Sequence, residues 1–171
     1  SAIRINLKGE KEIESWIKYS IESLNALGEY AKPLNINVIV ENHGGLSSNA
    51  SLLMKVINQV NLENCGTLPD FGNFCMSEGY GSLKDDNCED PYDPYLGVSE
   101  MLPRAFGLSA KSYEFDSNGD ETTLNYYKLL SIAKDAGYSG YIGVEYEGEK
   151  LSEIDGIIAT KKLLEKVASK I

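Results

Sequence analysis

Val38-Ile39-Val40-Glu41-Asn42-His43-Gly44-Gly45 is a run of three β-branched apolar residues that ends abruptly in a carboxylate, an amide, an imidazole and two glycines. The first three read as a buried strand. A core strand has no structural use for a charge at its end, because desolvating a carboxylate costs several kcal/mol unless it is paired or metal-bound. Alternation along the strand turns Glu41 and His43 to one side and Val40 and Asn42 to the other. Gly44 and Gly45 keep the following loop free of side chains, so a ligand can approach its backbone. The bland alternative is a strand end whose polar groups simply meet water. His43 is the sole histidine of the chain, which excludes a multi-histidine zinc site.

On either side of this stretch the hydrophobic period alternates between two and three-to-four. Ala2–Leu7 alternates Ile3, Ile5 and Leu7 with Arg4 and Asn6, the period of a strand. From Glu10 to about Lys32, Ile13, Trp16, Ile17, Ile21, Leu24 and Leu27 recur at helical steps, with Pro33 just beyond. Ser47 or Ser48 is expected to cap a second helix over Asn49–Val60. Cys65–Phe74 reads as a third strand that again delivers a carboxylate, Asp70, near its end. A short helix over Leu96–Met101 leads to Pro103, and Ala105–Phe115 holds a fourth strand with Ser109 and Lys111 on one face. Asp116-Ser117-Asn118-Gly119-Asp120 resembles a calcium loop in composition, but its glycine is fourth rather than sixth, so a capping turn is the better reading. A helix over Thr122–Ala136, a strand over Tyr141–Glu147 with Glu145 and Glu147 on one face, and a helix over Ser152–Val167 complete the chain.

Residues 75–95 break this rhythm. Their glycines, prolines and acids, among them Gly79, Asp85, Asp86 and Asp90, cannot build a core, so this stretch is expected to be a long, mobile active-site loop on a single domain spanning 1–171. Cys75 and Cys88 flank it and would pair in an oxidising compartment; free thiols are the expected state of all three cysteines, which show no CxxC spacing.

The composition, 42% hydrophobic and 25% charged over 171 residues, is that of one globular domain with a real core. A net charge of −10 argues against a nucleic-acid surface, which needs clustered Lys and Arg, and no nucleic-acid partner is expected. The apolar runs are far shorter than a membrane span and no hydrophobic leader opens the chain, so a soluble protein is expected, cytoplasmic or periplasmic.

The element order β-α-β-α-β-loop-α-β-α-β-α demands parallel strands with right-handed crossovers, either an open doubly wound sheet or a (β/α) barrel. No GxGxxG or P-loop follows the first strand. Glu41, Asp70, Ser109 with Lys111, and Glu145 all fall at the carboxyl ends of successive strands, where a barrel assembles its active site. An α/β fold, a partial (β/α)8 barrel, is therefore expected.

The segments ENHGG (41–45), LPDFGNF (68–74), LSAKSYEFD (108–116) and GYIGVEYEG (140–148) resemble the sugar phosphate isomerase/epimerase proteins of the xylose isomerase-like TIM-barrel superfamily. The similarity runs from Arg4 to the last helix. Members hold a divalent metal with a Glu, an Asp, a His and a Glu from four consecutive strands. The resemblance implies Glu41, Asp70 and Glu145 for three of these. It departs at the third ligand: where relatives read His-x-Lys, this chain reads Ser109-Ala110-Lys111. His43 or Glu147 could stand in as a ligand; alternatively the Lys111 ammonium replaces the metal's charge. Two Glu, one Asp and at most one His make a hard, oxygen-rich set that favours Mn²⁺ or Mg²⁺ over Zn²⁺. A full barrel needs eight units and about 250 residues, and these five strands look like strands four to eight. The resemblance thus implies the C-terminal part of a longer barrel, whose open edges would self-associate or pair with its own N-terminal half.

The activity the resemblance implies is isomerisation or epimerisation of a sugar, sugar phosphate or keto-polyol by proton transfer next to a carbonyl, through an enediolate. Glu41 and Glu145 would be acid and base, with Lys111 as a third catalytic candidate and Asn6, His43, Ser109 and Glu147 as substrate contacts. Two alternatives share the scaffold: a dehydratase acting on a keto-polyol, and a non-catalytic sugar-binding barrel.

Overall fold

The computed structural model describes residues 1–77, 80–84 and 88–171. Gly79, Asp85 and Asp86, read above as part of the acidic loop, lie outside the described residues. Five strands, β1 (Ala2–Ile5), β2 (Asn37–Glu41), β3 (Cys65–Leu68), β4 (Leu108–Ser112) and β5 (Ile142–Tyr146), alternate with five helices, α1 (Ile13–Ala31), α2 (Ala50–Val60), α3 (Pro94–Met101), α4 (Tyr126–Asp135) and α5 (Glu153–Ala168). β1, β2 and β3 pair in parallel, as do β4 and β5. Parallel bridges Thr67–Ala105 and Asp70–Ser109 join the two groups, carried by the amides of Phe106, Ser109 and Phe71. The sheet is therefore continuous and in chain order, without the reversal that defines a doubly wound sheet.

The helices confirm which closed form this is. Each of α1 to α5 packs on the next in sequence, and α5 lies against β5, so all five cover the same face of the sheet, as the outer ring of a barrel does. Alternation supplies the reason: Val38 and Val40 turn outward and are fully buried under Leu24, Leu53, Val56 and Ile57, while Ile39 and Glu41 turn inward. The expected α/β partial barrel is the fold observed. Its inner face is a trough lined by Leu68, Gly107, Leu108, Gly143 and Val144 with Arg4, Glu41, Ser109 and Glu145, enclosing about 380 Å³. The far edges of β1 and β5 have no partner strand among the described residues. Near those edges Tyr141 and the α5 residues Ile154, Ile157 and Ile158 are exposed. Among the described residues no helix is long and apolar enough to cross a membrane.

Helix starts shift toward their caps. Glu12, not Glu10, begins α1 by accepting from the amides of Glu14 and Ser15. Asn49, not Ser47 or Ser48, caps α2, and Asn125 delays α4 to Tyr126. The Asp116–Asp120 stretch is the expected turn: Asp116 Oδ1 accepts from the Asn118 and Asp120 amides, and Lys166 holds Asp120.

The cysteines correct an expectation. Cys75 and Cys88 form a disulfide, leaving a buried Cys65 as the free thiol. Backbone bonds Met76 N to Asp90 O and Tyr92 N to Phe74 O run the two arms of the loop antiparallel and bring the sulfurs together, an approach that spacing alone does not reveal. Further bonds tie Cys75 N to Gly81 O and Leu83 N to Gly72 O, and half-buried Leu83 and Tyr92 pack on the core.

One strand position has no room to vary. A Cβ at Gly66 would stand 2.3 Å from the Arg104 carbonyl oxygen and 2.5 Å from the Phe106 ring, where β3 meets the start of β4. Because the nearest atom is backbone, relief requires moving the strand junction. Gly66→Ala is expected to destabilise the fold by about 2 kcal/mol, read as a lower denaturation midpoint at unchanged slope; an unchanged midpoint would show that the junction yields freely.

Candidate active site

The carboxyl end of the sheet is where the sequence departs from its apolar pattern, and the structure gathers those departures. Glu41 leaves the end of β2, Asp70 follows β3, and Glu145 lies near the end of β5. One carboxylate oxygen from each lies within 4.8 Å of the others, so the three could hold a metal ion. His43 does not join this group: its ring meets Tyr80 edge-on at 5.6 Å, and its buried Nδ1 has no hydrogen-bond partner among the described residues. The side-chain oxygen of Asn6, Oδ1, is likewise buried and unpartnered.

Lys111 lies among the carboxylates. Its side chain is 2% exposed, and Nζ stands 2.8 Å from Asn73 Oδ1, 2.9 Å from Glu147 Oε1, 3.4 Å from Glu145 Oε1 and 3.9 Å from Asp70 Oδ1. The β4–β5 register explains the contact, since Lys111 stands directly opposite Glu145 and Ser109 opposite Gly143. Ser109 Oγ donates to Glu145 Oε2 at 2.8 Å. Glu41 is paired with Arg4, reaching across from β1.

Behind the charged groups lies a buried polar network. The Asn42 side chain accepts from the Asp70 amide at 2.8 Å and donates to the carbonyls of Asp70 and Asn73. Ser48 Oγ donates to the same Asn73 carbonyl and accepts from the Gly44 amide, while Ser47 Oγ accepts from the His43 amide. The two serines expected to cap α2 are thus spent holding the loop after β2. Asp70 Oδ1 accepts from the Gly72 amide, but Oδ2, fully buried, has no partner among the described residues.

These surroundings drive the acids apart. Burial raises Glu41, with Glu145 adding to it and Arg4 and Lys111 opposing. Burial also raises Asp70 well above the usual carboxylate range, Lys111 offsetting only part of it. For Glu145, burial pushes upward too, but the Lys111 ammonium and the Ser109 hydroxyl outweigh it and the carboxyl is held below its usual value. Lys111 shows the converse balance: burial pulls it down, and Asp70, Glu145 and Glu147 raise it above the ordinary lysine range. Burial, followed by Lys8, Lys111 and Arg4, lowers His43 and keeps its imidazole neutral near pH 7. With all four ionised, the carboxylates Glu41, Asp70, Glu145 and Glu147 would face two cations, Lys111 and Arg4, leaving two negative charges in excess. That excess, three converging oxygens and an orphaned buried carboxylate oxygen suit a hard divalent cation.

Three participants escaped the sequence reading. Arg4 reads from the sequence only as a polar residue alternating along the first strand, Asn42 only as the amide beside Glu41, and Asn73 has no reading of its own. Their one signal is an amide beside an otherwise apolar strand end, which becomes informative only when the strand is known to be buried on both faces.

The chain resembles known proteins over nearly all its length. It is 27% identical to an inosose isomerase of Halalkalibacterium halodurans over 94% of this chain and 58% of the relative. The zinc-bound IolI protein superposes with a TM-score of 0.68 at 18% identity, over 99% of this chain and 63% of that one. A D-tagatose 3-epimerase-like protein gives a TM-score of 0.71 at 15% identity, over 98% and 62%. The chain thus spans about three fifths of the length of these proteins. The model of one family, the xylose isomerase-like TIM barrel, matches residues 5–167, and the chain belongs to that family.

Proposed function

We propose that this chain carries the acid–base machinery of a sugar or keto-polyol isomerase or epimerase that moves a proton next to a carbonyl. What supports it above all is the convergence of Glu41, Asp70 and Glu145 within 4.8 Å around an unpartnered buried Asp70 oxygen. The inosose isomerase relative and the epimerase-like structural neighbour point to the same substrate class. Glu145, held low, takes the carbon-bound proton; Glu41, raised by burial, is the group that returns one. Lys111 and Ser109 orient Glu145 from β4. Glu147, Asn6 and His43 contact substrate hydroxyls. A divalent cation held by Glu41, Asp70 and Glu145, Mn²⁺ or Mg²⁺ in preference to Zn²⁺, would supply electrostatic stabilisation of negative charge on adjacent substrate oxygens. Met76, Ser77 and Asp90 face Gly44, Gly45, Lys8 and Trp16 across a cavity of about 460 Å³.

The proton transfer is tested on a panel of keto-inositols and ketoses in D₂O. The active pair is expected to exchange one carbon-bound hydrogen for deuterium, and Glu145→Gln to slow that exchange about 100-fold or more. Undiminished exchange in the variant removes Glu145 from the role of base.

Metal binding is expected to weaken as pH falls. The ion binds the deprotonated carboxylates, and Asp70 and Glu41, both raised by burial, hold their protons to higher pH than free carboxylates do. Binding therefore releases protons, and affinity climbs with pH until both are ionised. Calorimetry with Mn²⁺ in buffers of different ionisation enthalpy reads that release; an affinity flat from about pH 5 to pH 8 contradicts it.

We further propose that the trough and the open edges of β1 and β5 are covered in the working protein, either by β/α units of its own longer chain or by a second copy. The 171-residue chain alone is then expected to elute above its 18.8 kDa mass in size-exclusion chromatography with mass detection. A monomer that unfolds cooperatively would overturn this.

A further inference from the structure

Lys111 is not placed as a surface cation that happens to lean inward. It leaves β4 on the inner face, its side chain is 2% exposed, and its stem lies over Gly72, where an added Cβ would stand 2.9 Å from Cδ and 3.1 Å from Cγ. Gly72 thus leaves room for this stem and, closer still, for the Tyr113 hydroxyl, which such a Cβ would meet at 2.4 Å. The far end is held as firmly. Asn73 Oδ1 accepts from Nζ at 2.8 Å, and Asn73 is itself fixed through its carbonyl by Asn42 and Ser48. From that seat the ammonium reaches two of the three carboxylates that converge below 4.8 Å, Glu145 at 3.4 Å and Asp70 at 3.9 Å. Ser109, one turn of the pleat earlier on the same face, donates to Glu145 rather than offering a further strong ligand.

We infer that Lys111 is the resident cation of this carboxylate cluster and that it sets divalent-metal affinity by competing for Asp70 and Glu145. A divalent ion drawn to these oxygens meets an ammonium a few ångströms away that a packed stem and two hydrogen-bond acceptors keep from swinging out. Repulsion at such separations in a partly desolvated site is large enough to change affinity by orders of magnitude. The site consequently holds its metal weakly and exchangeably, and the positive charge the chemistry needs is never wholly lost when the ion leaves. This rests on the proposed role of Glu41, Asp70 and Glu145 as the metal-binding set.

The test is Mn²⁺ calorimetry on the purified protein, Lys111→Gln and Lys161→Gln; Lys161 is an exposed α5 lysine paired only with Glu165 among the described residues. Lys111→Gln keeps a donor for Asn73 while removing the charge, and is expected to bind Mn²⁺ about tenfold tighter or more, with Lys161→Gln within about twofold of the parent. Equal or weaker binding by Lys111→Gln overturns the competition and leaves the metal-binding set standing. If neither parent nor Lys111→Gln binds Mn²⁺ at millimolar concentration, both fall. Should Lys111→Gln not fold, the parent decides alone: the Lys111 ¹³Cε resonance is expected to move saturably on Mg²⁺ titration, and one that stays fixed while Mg²⁺ saturates the protein overturns the inference.

Discussion

A parallel sheet wound in one direction sends every strand's carboxyl end to the same rim, and whatever charges those ends carry must then coexist. Here they are Glu41, Asp70, Glu145 and Glu147, and one buried ammonium, Lys111, stands among them. Full burial of the Asp70 carboxylate costs several kcal/mol on its own. Burying Lys111 costs several kcal/mol more, and their attraction at about 4 Å in surroundings of intermediate polarity returns about 4 kcal/mol, so the pair adds no net stability. Glu145 and Glu147 are nearly two-fifths exposed and add less, because water screens them. The cluster thus contributes nothing to stability. Folding energetics therefore do not explain why four acids are gathered here.

The scaffold that makes this possible is amide and hydroxyl rather than charge. Asn42 spans the gap between the ends of β2 and β3, taking one backbone amide and satisfying two carbonyls, so it fixes Asp70 and Asn73 with one neutral side chain. An acid there could accept but not donate, and an apolar residue would leave the amide and carbonyl of Asp70 unpaired, with Ser48 alone on the Asn73 carbonyl. Ser47 and Ser48 perform the same service for the loop through His43 and Gly44. Rigid positioning of Asp70 and Lys111 follows from groups that carry no charge of their own.

Much of this was legible in the chain before any coordinates. The strands and helices showed as changes of hydrophobic period, and Glu41, Asp70, Lys111 and Glu145 stood out because each interrupts an apolar pattern at the same relative place. What escaped did so for identifiable reasons. Helix starts slipped by a few residues because Asn49, Glu12 and Asn125 compete with nearby equally suitable caps. The Cys75–Cys88 bridge depends on two loop arms running antiparallel, a tertiary fact that the spacing of thirteen does not encode. Arg4 and Glu41 are thirty-seven residues apart, and their pairing follows only from the β1–β2 register.

The exposure of the acids also gives the site a direction. Glu41 and Asp70 are buried, 1% and 0% exposed, while Glu145 opens onto the trough beside Gly143 and Ser109. Gly143 contributes no side chain opposite Ser109, so the approach to Glu145 from the trough is left unfilled. The carboxylate of lowered pKa therefore lies nearest the opening of the trough, with the two raised ones buried. Burial pushes all three upward, and the partners do the sorting: Glu145, held by Lys111 and Ser109, stays ionised, and Glu41 and Asp70 retain protons more readily. The split between lowered and raised carboxyls is thus produced by which of them Lys111 and Ser109 hold, on top of a burial that raises all three.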